Sequence, residues 1–359
     1  MLKFSTLFIA FLLIFATAFA DIPTPYKTFT LRNSQQMEMT VTNLGGRIMN
    51  LKVPNAQGVP TNVVVGFDQA AQYLSSTEPY FGALIGRVGN RIAKGQFTVD
   101  GQQFQLPINN GENSLHGGLQ GFQNLTWEAT QVNESTLELH LTHPDGAEGF
   151  QGNMEVKVTY TLTEENALEI TYHATADKAT PCNLTNHAFF NLNGEGSGSI
   201  LNHRLRIPAK EYTPVDAGLI PLGKNAKVKG TPFDFTEAKT IGRDIEQKND
   251  QLTNGMGYDH NFFLKKKKGK LTKMAEVMGD KSGIVMEVFS TERCLQFYSG
   301  NFMESKNTFA SGAKDDFRTA FCLETQEFPD AVNQPNFKAF ILTPGKVYSS
   351  KSIYKFRVK

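Results

Sequence analysis

Apolar residues recur at every second position over much of this chain, and few segments carry a helical period. Residues 136–142 read TLELHLT, with leucine at 137, 139 and 141. Residues 154–162 (MEVKVTYTL) and 168–172 (LEITY) repeat the pattern. Successive strand side chains point to opposite faces, so each segment buries one face and wets the other. Turn signals separate these runs, among them Asp100-Gly101, Asp145-Gly146, Glu165-Asn166 and Gly279-Asp280. Strands of this length with turns every ten or so residues predict an all-β fold, a sandwich of antiparallel sheets. Short helices are expected only near residues 67–74 and 234–244. The chain shows no Pro/Ser-rich linker, no shift in composition and no internal repeat. The Gly/Ser tract at 194–199 is too short to divide domains. One continuous β domain over residues 21–359 is therefore predicted.

The first twenty residues stand outside that pattern. Lys3 precedes an apolar run over residues 7–15, and Ala18-Phe19-Ala20 has the small-x-small form of a cleavage site. This predicts a secretory signal peptide over residues 1–20. A membrane anchor would need roughly 20 apolar residues, and this run is shorter. The expectation is export to a periplasmic or extracellular compartment, with no membrane attachment after cleavage.

The formal charge of the whole chain is +1, and without Lys3 it falls to zero. A balanced surface gives no electrostatic case for nucleic acid. The run Lys265 to Lys268 reads as a solvated hairpin tip. Cys182, Cys294 and Cys322 are an odd number and lack metal or redox spacing, so buried free thiols are expected. Asn124, Asn133 and Asn183 each open a glycosylation sequon. Against 28 phenylalanines there is a single tryptophan, Trp127; such aromatic walls suit both a large core and a sugar. Phosphate-cradling loops, a nucleophile elbow and a zinc-protease helix are all missing from the sequence.

Four polar clusters interrupt the β text. They are GRVGNRIAKGQF at 86–97, NSLHGG at 113–118, PCNLTNHAFFNL at 181–192, and FCLETQEFPD at 321–330, with GYDHNF at 257–262 upstream of the last. His187 stands among Asn183, Asn186 and Asn191. His116 precedes two glycines, which let a backbone approach a ligand closely. Glu324 follows an apolar run, where an unpaired carboxylate would be costly. A single buried His or Glu is more often a satisfied hydrogen-bond partner than a catalyst. Together, in this order and spacing, the clusters resemble the aldose 1-epimerase (galactose mutarotase) family. The similarity extends from TNLGGRI at 42–48 to Pro344-Gly345.

The resemblance implies a large twisted antiparallel β-sandwich with a sugar cleft on one face. It implies Glu324 as general base, His187 as general acid and His116 as a second histidine near the reacting oxygens. Arg91 and Asp259 match residues that fix sugar hydroxyls, and Asn90 and Gln296 match more variable binding positions. The implied activity is interconversion of the α and β anomers of free aldohexoses such as glucose and galactose. It needs neither cofactor nor metal, and the chain would be a monomer or homodimer with a small-molecule sugar as its partner.

Three other readings make distinct demands. A hexose-phosphate epimerase of the same superfamily would need extra cations, for which Arg47 and Arg87 are available. A non-catalytic sugar-binding protein would have lost the acid or the base. A metal site would require His116, His187, His260 and Glu324 to converge. The remaining histidines, His140, His143, His173 and His203, read as surface residues.

Overall fold

In a computed structural model the described residues are 26–359, so the predicted signal peptide lies outside them. The alternating segments form the second to fourth strands of a nine-stranded antiparallel sheet. Its spatial order is Glu128–Asn133, Thr136–His143, Met154–Thr163, Ala167–Ala176, Tyr348–Val358, Ile284–Ser290, Thr272–Met278, Arg204–Arg206 and Lys239–Thr240. In the strand Met154–Thr163 the side chains of Met154, Val156, Val158, Tyr160 and Leu162 are buried, while Glu155 is exposed. The period of two read from the sequence is thus the inside–outside alternation of this sheet. A second sheet of five short strands packs beside it, in the order Ala226–Lys227, Glu211–Thr213, Asp259–Phe263, Cys294–Tyr298 and Cys322–Gln326. A four-stranded sheet covers residues 28–62.

Two contacts tie the five-stranded sheet to the long strand Tyr348–Val358. The Tyr354 hydroxyl donates to the Leu323 carbonyl at 2.9 Å, and Thr325 and Ser352 share a hydroxyl–hydroxyl bond. Phe190 and Phe321 exchange main-chain hydrogen bonds of 2.7 and 2.9 Å. These contacts hold the segment carrying His187 close to the strand carrying Glu324. The apolar core runs between the sheets and includes the fully buried Trp127, Tyr160, Tyr172 and Tyr354. All three cysteines are free and buried, as expected.

Several local expectations need correction. The 67–74 region contains only a 3-10 turn, Ala70–Leu74. The 234–244 region holds the short strand Lys239–Thr240 and a second 3-10 turn, Ile241–Arg243. The one α-helix among the described residues is Asp250–Asn254, where the Asn249 side chain accepts from the Gln251 and Leu252 N–H groups. His143 and His203 are buried, not on the surface. His143 Nδ1 accepts from Arg87 Nε at 2.9 Å, and His203 Nε2 accepts from the Leu192 N–H at 3.0 Å. Asn183 is wholly buried, with its Oδ1 taking the Glu327 N–H, so that sequon offers no surface acceptor. Within the lysine run, Lys266 folds back onto the carbonyls of Lys270 and Ser290, and Lys268 reaches the buried Glu292 and Glu327.

Arg47 and Arg87 are the largest departure, because both guanidinium groups are completely buried. Arg47 donates to the carbonyls of Pro79, Phe81 and Gln123. Arg87 donates to His143 Nδ1, Thr180 Oγ1 and the carbonyls of His143, Pro144, Gln151 and Gly152. Burial pushes each guanidinium down to about 10. They act as ties, closing main-chain acceptors in turns, loops and at one strand end. Replacing Arg87 by Met would orphan several buried carbonyls at about 1–3 kcal/mol each. Urea unfolding of Arg87→Met is expected to show a loss of at least about 3 kcal/mol, and a loss within error would remove this role.

Candidate active site

The five-stranded sheet supplies the floor of the site through its register. Asp259 lies opposite Tyr298, and Asn261 opposite Gln296. Gln296 in turn lies opposite Glu324, and Tyr298 opposite Cys322. Paired residues of antiparallel strands share a face, so Asp259, Asn261, Gln296, Tyr298, Cys322, Glu324 and Gln326 all project on one side. The alternate residues Phe262, Leu295, Phe297 and Leu323 go to the core. A polar face in a buried sheet must satisfy itself, and most of this one does. Gln296 Nε2 donates to Asp259 Oδ1 at 2.6 Å, and Gln326 Nε2 to Asn261 Oδ1 at 3.0 Å. Two oxygens remain without a hydrogen-bond partner, Gln326 Oε1 and Glu324 Oε2, and only the second belongs to a carboxyl group.

His187 arrives from another segment. Thr185–Asn186 pairs with Leu84–Ile85, and His187 continues the ladder with its N–H on the Ala83 carbonyl at 2.9 Å. Asn186 locks the turn by donating to the Gly82 carbonyl and accepting the Ala188 N–H. The ring of His187 sits among Tyr80, His116 and Phe189, with centroids at 5.7, 5.0 and 5.0 Å. Its Nε2 is 3.7 Å from Glu324 Oε1. The two side chains on which the sequence reading depends therefore share one pocket.

The two-strand pair of Arg91–Ile92 with Ser114–Leu115 brings in the remaining groups. Asn90 and His116 flank that pair, each with a left-handed backbone (φ 63° and 52°). The Asn90 N–H donates to His116 Nδ1 at 3.2 Å, and the His116 N–H donates to the Asn90 carbonyl at 3.0 Å. Arg91 Nε donates to Asn110 Oδ1 at 3.0 Å, while its NH1 lies 3.8 Å from Asp259 Oδ2. Asn90, Arg91, His116, His187, Asp259 and Glu324 all line one open cleft of about 1040 Å³. Gln296 does not line it; that residue stands behind Asp259 and orients its carboxylate.

Electrostatics follow from burial. Loss of water pushes the Glu324 carboxyl well above its usual range; the nearby Asp259 adds to the rise and Arg91 opposes it. Burial pushes the His187 imidazole down to about 3 and lowers His116 well below the ordinary value, with His187 and Arg91 contributing to the latter. Both effects disfavour charge in the same small space.

Sequence reasoning missed Glu78 and Tyr80. Both line the cleft. The Tyr80 ring packs on His116 at 4.5 Å, and burial pushes the half-buried Glu78 up to about 7. The Glu-Pro-Tyr step lies just upstream of the Gly82 segment that pairs with His187, and its proximity to that segment was the available signal. His116, His187 and Glu324 could each offer a ligand atom within 4.8 Å of the others, whereas His260 stands apart against Tyr212 and Phe233. A metal-binding imidazole must supply a lone pair. His116 has given that of Nδ1 to the Asn90 N–H, which leaves the proton of the neutral ring on Nε2. The geometry suits donation to oxygen better than ligation.

Comparison with known proteins gives the family. A family model described as aldose 1-epimerase matches residues 27–355. The chain is 43% identical to a galactose mutarotase of Rattus norvegicus over 95% of its length and 98% of the relative's. It is 37% identical to an aldose 1-epimerase of Escherichia coli K12, covering 92% of this chain and 95% of that one. Among solved structures, an aldose epimerase homologue from C. elegans superposes with a TM-score of 0.85 at 27% identity, over 93% of this chain and 99% of that one. The chain belongs to the aldose 1-epimerase family.

Proposed function

We propose that the protein is an aldose 1-epimerase (mutarotase) that interconverts the α and β anomers of free aldohexoses such as glucose and galactose. The observation that carries this reading is the pairing of Glu324 with His187 at 3.7 Å on the wall of an open polar cleft. Opening a pyranose requires a base on the anomeric hydroxyl and an acid on the ring oxygen. Glu324 takes the proton from O1 while His187 Nε2 gives one to O5, and the C1–O5 bond breaks. The aldehyde turns about C1–C2, and the same two groups reverse their transfers onto the other face. His116, with its proton held on Nε2, donates to an oxygen at the reacting end. Arg91 and Asp259 hold hydroxyls so that the ring oxygen and the anomeric oxygen meet the right partners. Asn90 shapes this wall, and Gln296 keeps Asp259 turned toward the cleft.

The full burial of Arg47 and Arg87 weakens the hexose-phosphate reading, since both are occupied far from any phosphate. Retention of acid and base in one cleft weakens the reading as a sugar-binding protein without activity. Export, supported by the residues 1–20 pattern, completes the proposal and places the substrate outside the cytoplasm.

Each positioned proton-transfer group contributes roughly 10²–10⁴-fold. Polarimetry of freshly dissolved α-glucose should show Glu324→Gln slowed by at least about 10³-fold, with sugar binding retained. Near-normal rates would remove Glu324 from the mechanism. His187→Asn should lower kcat more than it raises KM, because proton donation is needed in the transition state.

The pair must hold one proton between its two members, so the rate should fall when it gains a second and when it loses the only one. Because burial depresses His187 to about 3, the acid limb should lie well below the ordinary imidazole value. A rate that halves near the ordinary value of about 6.5 would contradict this.

Glu324→Gln should also be more stable than the parent at neutral pH. A carboxyl raised in the folded state favours folding only while protonated, below its unfolded value. That contribution is lost as the pH rises through the folded value. The variant's advantage in Tm should therefore vanish near pH about 4; a parent more stable at neutrality would refute it.

A further inference from the structure

The segment that carries Arg91 is held on two sides. On one, Arg91 and Ile92 lie opposite Leu115 and Ser114. On the other stands Asp330, completely buried and six residues beyond Glu324 in the chain. The Asp330 N–H donates to the Arg91 carbonyl at 3.1 Å, and its Oδ1 accepts the Ala93 N–H at 3.0 Å. We propose that Asp330 is a positioning residue for sugar binding, whose carboxylate seats the Arg91 wall of the cleft against the strand that carries Glu324. This rests on Arg91 holding sugar hydroxyls, as proposed above.

The backbone explains why a side chain is needed there. A neighbouring strand would meet the Ala93 N–H with a main-chain carbonyl. At Asp330 the backbone is left-handed (φ 54°), and its carbonyl already accepts the Asn333 N–H at 2.9 Å. The carboxylate stands in for that carbonyl. Asp and Asn are the side chains that best tolerate a left-handed backbone, so conformation and acceptor agree at this position.

The same carboxylate reaches two further parts of the wall. Oδ1 also accepts from Asn333 Nδ2 at 2.7 Å, and that nitrogen donates to the Gln96 carbonyl at 2.8 Å. Oδ2 accepts from Gln334 Nε2 at 2.8 Å, which also meets the Pro221 carbonyl at 3.2 Å. Pro221 bridges to Val215 at the base of the turn over residues 216–220, and that turn lines the cleft. A carboxylate accepts on both oxygens, whereas an amide would turn its NH2 toward one of these donors. Arg91 depends on such a seat. Its guanidinium bonds to Asn110 and faces Asp259 across 3.8 Å, so its place in the cleft follows from where its main chain is held.

The test is polarimetric kinetics with glucose, beside NMR of the Arg91 Nε–H read without sugar. Asp330→Gly accepts the left-handed backbone without strain and removes only the side chain. It should raise KM about 10-fold and change kcat less than about threefold, the pattern of lost uniform binding. Asp330→Asn keeps the acceptor for Ala93 and should stay within about threefold of the parent KM. In an Arg91→Ala background the effect of Asp330→Gly should shrink below about twofold, because the residue it acts through is gone. General loosening of the fold would not produce that dependence on Arg91. A parent-like KM in Asp330→Gly, an Asn variant as poor as the Gly variant, or an undiminished effect without Arg91 would each overturn the proposal. Should Asp330→Gly not fold, Ala93→Pro removes the same contact from the other side. Ile92 is extended (φ −121°, ψ 121°) and Ala93 opens a 3-10 turn, so proline fits there while the donated N–H is lost. That variant must also raise KM about 10-fold, and a parent-like value would overturn the proposal. In Asp330→Gly the Arg91 Nε–H resonance should shift and exchange faster with solvent; an unchanged signal overturns the proposal whether or not the protein epimerises sugars. Absence of mutarotation in the parent would refute the proposed function alone, so the two fail separately.

Discussion

A carboxylate and an imidazole removed from water 3.7 Å apart can keep one proton between them at little cost, but not two and not none. A second proton leaves an imidazolium without its counter-ion; loss of the only one leaves a bare carboxylate in a dry pocket. The single proton can sit on either partner. With it on Glu324 the pair is neutral, and with it on His187 the pair is ionic but mutually compensated. Burial favours the first arrangement and mutual attraction favours the second. A proton that either partner can hold is what a reaction needs when it must move across a substrate in both directions.

The rest of the site is built to sustain that pair. The unpartnered Oε2 of Glu324 is an energetic liability, tolerated because its backbone is fixed by pairing with Cys294–Tyr298 and by the Tyr354 hydroxyl on the Leu323 carbonyl. Arg91 moderates the rise in its proton affinity, and Asp259 and Glu78 reinforce it. Arg47 binds the carbonyls of Pro79 and Phe81, on either side of Tyr80 and just before the Gly82–His187 pairing. This buried cation touches no substrate, yet it stabilises the wall against which His187 stacks. A structural arginine and the proposed acid are thereby linked through the main chain of residues 79–82.

Much of this was legible in the sequence for a simple reason. Alternation is a local property, so the strands Thr136–His143, Met154–Thr163 and Ala167–Ala176 could be read within a residue or a few of their true ends. The motif Leu-Glu-Thr-Gln also states its own geometry: Leu323 and Thr325 turn toward the long strand of the large sheet, while Glu324 and Gln326 turn to the cleft. What stayed hidden was tertiary. Alternation puts His143 on the buried face with Leu137, Leu139 and Leu141 and His140 on the other, but the group that satisfies the buried ring, an arginine 56 positions away, is tertiary. Arg47 and Arg87 looked available to a phosphate because their carbonyl partners come from distant turns. Gln296 sits on the correct strand and face, yet it acts one step back, through Asp259.

The same reasoning explains why an enzyme of this family can leave its acid and base so deeply buried. A hydrolase consumes water and must return its catalysts to their starting protonation by exchange with solvent. Anomer interconversion has no such requirement. In the proposed mechanism the proton that Glu324 takes from O1 goes back to O1, and the proton that His187 gives to O5 is returned when the ring closes. Over a full turnover the pair exchanges nothing with solvent. Water is therefore not needed at the catalytic atoms, and excluding it strengthens every interaction that orients them. Depth costs stability, but it imposes no penalty on turnover. The cleft stays open at its mouth for the sugar while its catalytic floor stays dry.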